Sequence, residues 1–121
     1  MSETDPERGE VWRVDFDPWR GSEPNKRRPA VVLSVSDLSR LRTRIVVPLT
    51  TWQRHHGNQW NKVLVQRDDA NNLDLDSAAD VALIRALDLT RFEERVGILT
   101  VPAVREIAER VTLAVGYLPD F

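Results

Sequence analysis

The sequence contains no cysteine, and several other features that mark particular protein classes are missing as well. Without cysteine the chain can form neither a disulfide framework nor a thiolate metal site. No apolar run reaches the roughly 18 residues of a transmembrane helix, so no membrane span is predicted. The first ten residues, MSETDPERGE, lack the basic start and apolar stretch of a signal peptide. Together these absences favour a cytoplasmic protein.

Motifs for metal and phosphate chemistry are also missing. The sequence has no glycine-rich phosphate loop, no zinc-binding HExxH and no EF-hand loop. Its two histidines, His55 and His56, are adjacent, and adjacent side chains of a strand point apart, which disfavours a shared metal ion. They are interpreted as turn residues. The sequence therefore predicts no metal site and no cofactor.

The sequence does contain a pronounced asymmetry of charge. The 121-residue chain has a net charge of −2. Between Trp19 and His56, however, eight basic residues stand against two acidic ones, a net charge of +6. Between Gln66 and Asp80, five aspartates stand against one arginine, a net charge of −4. This distribution indicates a positive face for a polyanion, although charges that only solvate loops would produce the same pattern.

The hydrophobic pattern predicts a mainly β (α+β) domain. Alternating or valine-rich segments predict strands at residues 11–17, 30–35, 44–49, 62–66, 78–87 (one strand or a bent pair) and 95–99. In the first, Trp12, Val14 and Phe16 share one face. The second is apolar enough to be buried on both faces. Pro48 suggests that the third lies at a sheet edge or contains a bulge.

Helical spacing appears only near the end of the chain. Thr100 is a good N-cap, Pro102 suits a first turn, and Gly116 is a plausible stop. Short strands closed by one amphipathic helix predict an SH3-like small β-barrel, or strongly curved sheet, of five to seven strands with a C-terminal α-helix. Residues 1–121 are predicted to form a single domain, with residues 1–8 as a disordered tail.

The polar loop between the first two strands has three consecutive cations at its end, Lys26, Arg27 and Arg28. Pro29 restricts Arg28 to an extended backbone, which helps to fix the direction of its side chain. A guanidinium presented from a strand end is well suited to grip a phosphate with two hydrogen bonds. An ordinary basic loop that pairs with carboxylates would fit the same residues.

Several segments carry a resemblance to a known family. They are RGEVWRVDFDP at residues 8–18, GSE at 21–23, RPAVVLS at 28–34, VVPLTT at 46–51, DS at 76–77 and IRALD at 84–88. With these segments, the chain resembles the MazF/PemK toxins of type II toxin–antitoxin systems over nearly its whole length from Arg8. The spacing of GSE and RP is the most specific part of the likeness.

The resemblance implies a symmetric homodimer that cuts single-stranded RNA at short sequences without metal, and a cognate antitoxin that blocks the site. The family's main catalytic residues, an arginine before the proline and a threonine after the third strand, correspond to Arg28 and Thr50. Glu23 lies in the resembling motif and is favoured as a helper in proton transfer, because arginine is a poor base at neutral pH. Attack by the 2′-hydroxyl would leave 2′,3′-cyclic phosphate and 5′-hydroxyl ends.

RNA binding is predicted for a set of polar and aromatic residues in the loops beside these positions. They are Trp19, Arg20, Ser22, Lys26, Arg27, Thr51, Trp52 and Gln53. At least one of Trp19 and Trp52 is expected to stack on a base, with a cap over the end of the barrel as the alternative. Trp12 is assigned to the core by its alternation, while Trp60 fits the core and an interface equally well.

The sequence departs from the family pattern at two places. Ala82-Leu83 stand where many members have Asp-Gln, and Asn25 and Lys26 replace small residues. A mechanism that uses that aspartate is therefore excluded, and the preferred RNA sequence is expected to differ. Two other functions remain open: a non-catalytic toxin of the same fold that poisons a protein such as DNA gyrase, and a barrel adaptor that binds a peptide.

Overall fold

The computed structural model describes residues 5–17, 27–35, 38 and 40–117. The chain forms strands β1 (Glu10–Asp15), β2 (Arg27–Val32), β3 (Thr43–Thr51), β4 (Lys62–Val65), β5 (Ser77–Asp80), β6 (Arg85–Asp88) and β7 (Phe92–Ile98), then helix α1 (Val101–Ala114). Short 3₁₀ helices occupy Arg54–Asn58, Val81–Leu83 and Leu89–Arg91. The predicted mainly β fold with one C-terminal helix is confirmed, and the segment 78–87 is a bent pair.

All the strands belong to one antiparallel sheet. The strand order is β4-β5-β3-β2-β1-β7, and β6 also pairs with β3. Strands β4 and β7 lie at the two ends of this order, and within the described part of the chain they do not pair with each other. The predicted barrel is therefore a curved, open sheet of seven strands, with α1 packed over one face.

The central strands bury both of their faces. Val11, Val31 and Val47 point into a core that includes Val104 and Ile107 of α1. Their neighbours Trp12, Val14, Ala30, Val32 and Val46 form a second core on the opposite face, as expected when successive side chains of a strand alternate. The predicted two-sided burial of β2 and the core position of Trp12 are thus confirmed. This packing makes β1, β2 and β3 a rigid support.

Strand β3 changes partner along one side. Its first part, Thr43–Val46, pairs with β6, and its last part, Leu49–Thr51, pairs with β5. Pro48 lies in the gap between them and opposite Ala30 of β2. Leu33 N–H donates to Ile45 O, and the alternation of an antiparallel ladder then turns the Pro48 nitrogen away from β2 and into the gap. The predicted edge or bulge was wrong, because a gap between two partners accommodates the missing donor.

The ends of the described chain are packed. Thr100 caps α1 as predicted, since its Oγ1 accepts a hydrogen bond from Ala103 N at 3.2 Å, and Gly116 ends the helix with φ +80. At the other end Pro6 is buried, and its carbonyl accepts from Arg44 Nε at 2.8 Å. The prediction of a disordered tail therefore fails for residues 5–8. No helix of the described residues is long and apolar enough to cross a bilayer.

Candidate active site

The ends of β2 and β3 bring together the two side chains that the sequence singled out. Ala30 lies opposite Pro48, so Arg28 and Thr50, each two residues further on, come to lie side by side on one face. Arg28 Nη1 donates a hydrogen bond to Thr50 Oγ1 at 3.1 Å. Thr50 is not in the predicted loop but inside β3, where it pairs with Ala78 of β5. Both side chains therefore project from ordered strands.

The neighbouring arginines Arg27 and Arg28 have different surroundings. Arg27 is mostly exposed and binds Glu93 through Nε at 2.7 Å, and this carboxylate raises the pKa of Arg27 above its ordinary value. Arg28 is half-buried, and its buried Nε has no hydrogen-bond partner among the described residues. Buried donors are nearly always paired in folded proteins. The Arg28 guanidinium thus retains a donor for which the described residues supply no acceptor.

A cavity of about 210 Å³ opens beside this pair. Its polar lining includes Arg13 of β1, Arg28, Thr50 and Thr51. Asp74 and Ser77 of the aspartate-rich segment at residues 67–77, the acidic turn, also line it. Arg13, Asp74 and Ser77 are not among the site residues that the sequence predicted. Only the pairing of β1 with β2 and of β5 with β3 brings them to the site.

Trp52 and Gln53 follow β3 but do not line this cavity. Trp52 N–H donates to Asp76 O at 2.9 Å, which extends the pairing with the acidic turn. Its ring packs edge-on against His56, with centroids 5.5 Å apart, and borders a separate cavity of about 450 Å³ that also includes Trp60. Two of the candidate RNA-binding residues thus border different cavities. Thr51 lines the cavity beside Arg28, and Trp52 lines the separate one.

The two histidines lie in the 3₁₀ helix after Trp52. His56 is buried, and its Nδ1 accepts a hydrogen bond from Gln53 N–H at 2.9 Å. Burial, together with the nearby His55 and Lys62, lowers the pKa of His56 below its ordinary value. An imidazole nitrogen that accepts a hydrogen bond is unprotonated. His56 therefore supports the chain that follows β3, in agreement with its interpretation as a turn residue.

Five candidate residues lie outside the described part of the chain. They are Trp19, Arg20, Ser22, Glu23 and Lys26. Among residues 5–17, 27–35, 38 and 40–117, no three histidine, aspartate or glutamate side chains come together as a ligand set for a metal ion.

A larger cavity, about 570 Å³, lies near β1 and β7, and its charged lining consists of Asp5, Glu93 and Glu94 against one arginine, Arg95. This net negative lining disfavours a polyanion, whereas the smaller cavity beside Arg28 offers two guanidinium groups against one exposed aspartate, Asp74. Charge therefore favours the smaller cavity as the site for a phosphodiester.

Comparison with known proteins agrees with the fold and the motifs. Residues 7–115 match the family described as PemK-like, MazF-like toxin of type II toxin–antitoxin system. Endoribonuclease MazF9 of Mycobacterium tuberculosis is 30% identical over 112 residues, which cover 88% of this chain and 92% of that protein. Among solved structures, MazF of Deinococcus radiodurans superposes with a TM-score of 0.78 at 20% identity, covering 94% of this chain and 99% of that one. A mycobacterial endoribonuclease in complex with its cognate antitoxin has a TM-score of 0.75 at 21% identity, covering 95% and 99%.

Proposed function

Because this chain belongs to the PemK-like, MazF-like toxins of type II toxin–antitoxin systems, we propose that it is an endoribonuclease that cleaves single-stranded RNA at short sequences, with Arg28 and Thr50 at the reaction centre. The observation that carries this proposal is the 3.1 Å hydrogen bond from Arg28 Nη1 to Thr50 Oγ1. Two polar groups from separate strands converge beside one cavity. This is the arrangement that a phosphodiester needs in order to be held from two directions.

The proposed reaction is attack of the 2′-hydroxyl on the adjacent phosphorus. A bond forms between the 2′-oxygen and phosphorus, and the bond to the 5′-oxygen breaks. The products are a 2′,3′-cyclic phosphate and a 5′-hydroxyl end. Negative charge develops on the non-bridging oxygens of the phosphorane, and the Arg28 guanidinium stabilises it. Removal of one preorganised donor of this kind typically lowers the rate by about 10²–10³.

Thr50 adds a second donor to the same oxygens. A threonine hydroxyl can accept hydrogen bonds and donate one. Its oxygen already accepts from Arg28 Nη1, so its own hydrogen stays available for a phosphate oxygen. Arg28 thereby both binds the phosphate and orients the hydroxyl. Because β3 pairs with β5 at Thr50, this orientation is retained without substrate.

The proton of the 2′-hydroxyl needs an acceptor other than arginine, whose pKa lies above about 12. We assign this role to Glu23 on the basis of the family motif, with the 5′-oxygen receiving a proton from the same group or from water. The remaining candidates, Trp19, Arg20, Ser22, Lys26, Arg27, Thr51, Trp52 and Gln53, are proposed to bind the RNA on either side of the cleaved bond. Alignment of the hydroxyl with phosphorus supplies a further part of the acceleration.

A cognate antitoxin and a second copy of the chain are the proposed protein partners, and the cytoplasm is the proposed compartment. A solved relative with the same fold is described in complex with its cognate antitoxin, which supports the first partner. A homodimer follows from the family resemblance. Size-exclusion chromatography with light scattering tests the dimer.

The deciding experiment is incubation of the purified protein with a mixed RNA in excess EDTA, followed by mapping of the new ends. We expect cleavage at a short sequence with cyclic phosphate and 5′-hydroxyl ends. Arg28→Ala should slow cleavage by about 10²–10³. Arg42→Ala should leave the rate unchanged, because Arg42 lies near the opposite end of β3 and pairs loosely with Asp88 at 3.7 Å. Intact RNA from a wild-type protein that still arrests growth would favour the non-catalytic poison instead.

A further inference from the structure

Arg13 lies beside the proposed reaction centre and has no assigned role. In the antiparallel pairing of β1 with β2, Arg13 is directly opposite Pro29, the residue after Arg28. Arg13 lines the same cavity of about 210 Å³ as Arg28 and Thr50. Successive side chains of a strand alternate, so Arg13 and Arg28 project from opposite faces of the β1–β2 pair and border the cavity from two sides. An RNA strand bound in the cavity therefore passes both residues.

The present partner of Arg13 holds it weakly. Arg13 Nε lies 3.5 Å from Glu94 Oε1 of β7, and the two side chains are 43% and 69% exposed. Exposed pairs of this kind contribute little to stability. Two other ion pairs of β7 are closer, since Arg27 of β2 with Glu93 and Arg95 with Glu10 of β1 both measure 2.7 Å. Of these three β7 pairs, the one at the cavity is the loosest.

We propose that Arg13 binds a second, uncleaved phosphate of the RNA and leaves Glu94 to do so. The proposal rests on the function proposed above and extends it to the neighbouring nucleotide. In the free protein Glu94 keeps the arginine close to the cavity. When RNA binds, a phosphodiester takes the place of the carboxylate and accepts charge-assisted hydrogen bonds from the guanidinium. Arg13 thus contributes affinity, while Arg28 contributes to the rate.

The test compares Arg13→Ala with Glu94→Gln, because the two variants break the same pair and leave opposite charges. Binding is measured with a 2′-O-methyl RNA that carries the mapped cleavage sequence and cannot be cut, across a range of salt concentrations. We expect Arg13→Ala to weaken binding about five- to tenfold and to reduce the slope of log K against log salt by about 0.7. Glu94→Gln should strengthen binding about twofold, because it releases the arginine.

Kinetics and a matched control complete the test. With cleavable RNA, the loss in Arg13→Ala should appear in KM rather than in kcat. Arg42→Ala removes a cation from another loose, exposed pair, just before the start of β3 and not among the residues that line the cavity, and should leave binding and its salt dependence as in the wild type. Equal changes in Arg13→Ala and Arg42→Ala would show general electrostatics and overturn the inference.

Further outcomes separate this inference from the proposed function. If Arg13→Ala and Glu94→Gln bind RNA equally and differ from the wild type only in stability, the pair is structural and the inference fails. In that case, the loss of cleavage in Arg28→Ala would still support the proposed endoribonuclease function. If the wild type neither binds nor cuts RNA, the proposed function and the inference fail together.

Discussion

Arg28 and Arg44 come from the same basic stretch of sequence, yet the structure uses them in opposite ways. Arg44 is 2% exposed. Its Nε donates to Pro6 O at 2.8 Å, and its Nη1 donates to Leu41 O at 2.8 Å and Thr43 O at 3.0 Å. Arg28 donates to one hydroxyl, and its Nε has no partner among the described residues.

The difference shows how to tell a structural cation from a functional one in this fold. Arg44 connects the segment before β1 to the start of β3 through hydrogen bonds to backbone carbonyls, which are fixed parts of the fold. Arg28 lies at the other end of the β2–β3 pair and faces a cavity. A guanidinium whose donors are occupied by carbonyls stabilises the fold, whereas one with an unused donor beside a cavity can bind an anion.

The largest effect is expected from Arg28→Lys. Lysine keeps the charge but loses the planar fork that holds a phosphate through two bonds, so kcat for RNA cleavage should fall by about 10²-fold. The melting temperature should change little, because Arg28 makes few contacts that hold the fold. Cleavage rates at saturating RNA and thermal melts test both parts. Near wild-type kcat would contradict the role given to the guanidinium.

The matching change, Arg44→Lys, should give the opposite result. A lysine cannot reach the carbonyls of Pro6, Leu41 and Thr43 together, so buried acceptors lose their donors. We expect the free energy of unfolding to fall by about 2 kcal/mol. Urea unfolding measures this loss. The cleavage rate per folded molecule should stay at the wild-type value, and a large fall in that rate would remove the distinction between the two arginines.

The two ends of β3 can be compared through their threonines. Thr50→Val keeps the shape of the side chain and removes the hydroxyl that bonds Arg28, which should lower kcat about tenfold. Thr43→Val makes the same change at the start of the strand, where Thr43 pairs with Asp88 of β6. It should leave kcat unchanged. Equal losses in both variants would indicate a general effect on β3 and not a role for the Thr50 hydroxyl.

The smallest effect concerns the pH dependence of stability. The pKa of His56 is lowered in the folded state by burial, so the unfolded chain takes up a proton first as the pH falls through about 6.5. The free energy of unfolding therefore keeps the full contribution of neutral His56 above that pH. It decreases as the pH falls below it. Between pH 8 and 5, the free energy of unfolding of His56→Gln should decrease less than that of the wild type. His55→Gln should reduce the slope less than His56→Gln does, because it removes only one of the causes that lower the pKa of His56. Identical slopes in all three proteins would contradict the prediction.

Local sequence patterns were sufficient to predict much of the fold. Alternation placed Trp12, Val14 and Phe16 on one face, and the valine-rich run predicted a strand with two buried faces. The cap at Thr100 marked the start of α1. Strand ends were less predictable, since they depend on the partner strand. Thr50 and Thr51 remain in β3 because β5 pairs with them, and β7 begins at Phe92, three residues before the predicted start.

The candidate site was predictable only in part. The positions of Arg28 and Thr50 follow from the family motif, and the register of β2 and β3 explains why they meet. Arg13 could not be selected, because its approach to the cavity depends on strand pairing between distant segments. The charge of the basic window overstated the exposed positive surface. Arg44 is buried and donates to backbone carbonyls, one of which, that of Pro6, lies 38 residues away in the sequence. Arg27 is paired with Glu93.

The divided pairing of β3 limits how this region of the sequence can change in length. A residue added at Val47 or Pro48 would leave the pairing with β6 intact but would shift every later side chain of the strand to the opposite face. The hydroxyl of Thr50 would then point away from Arg28, although the composition of the strand would hardly differ. A single insertion or deletion at this junction would therefore separate the two groups of the proposed reaction centre.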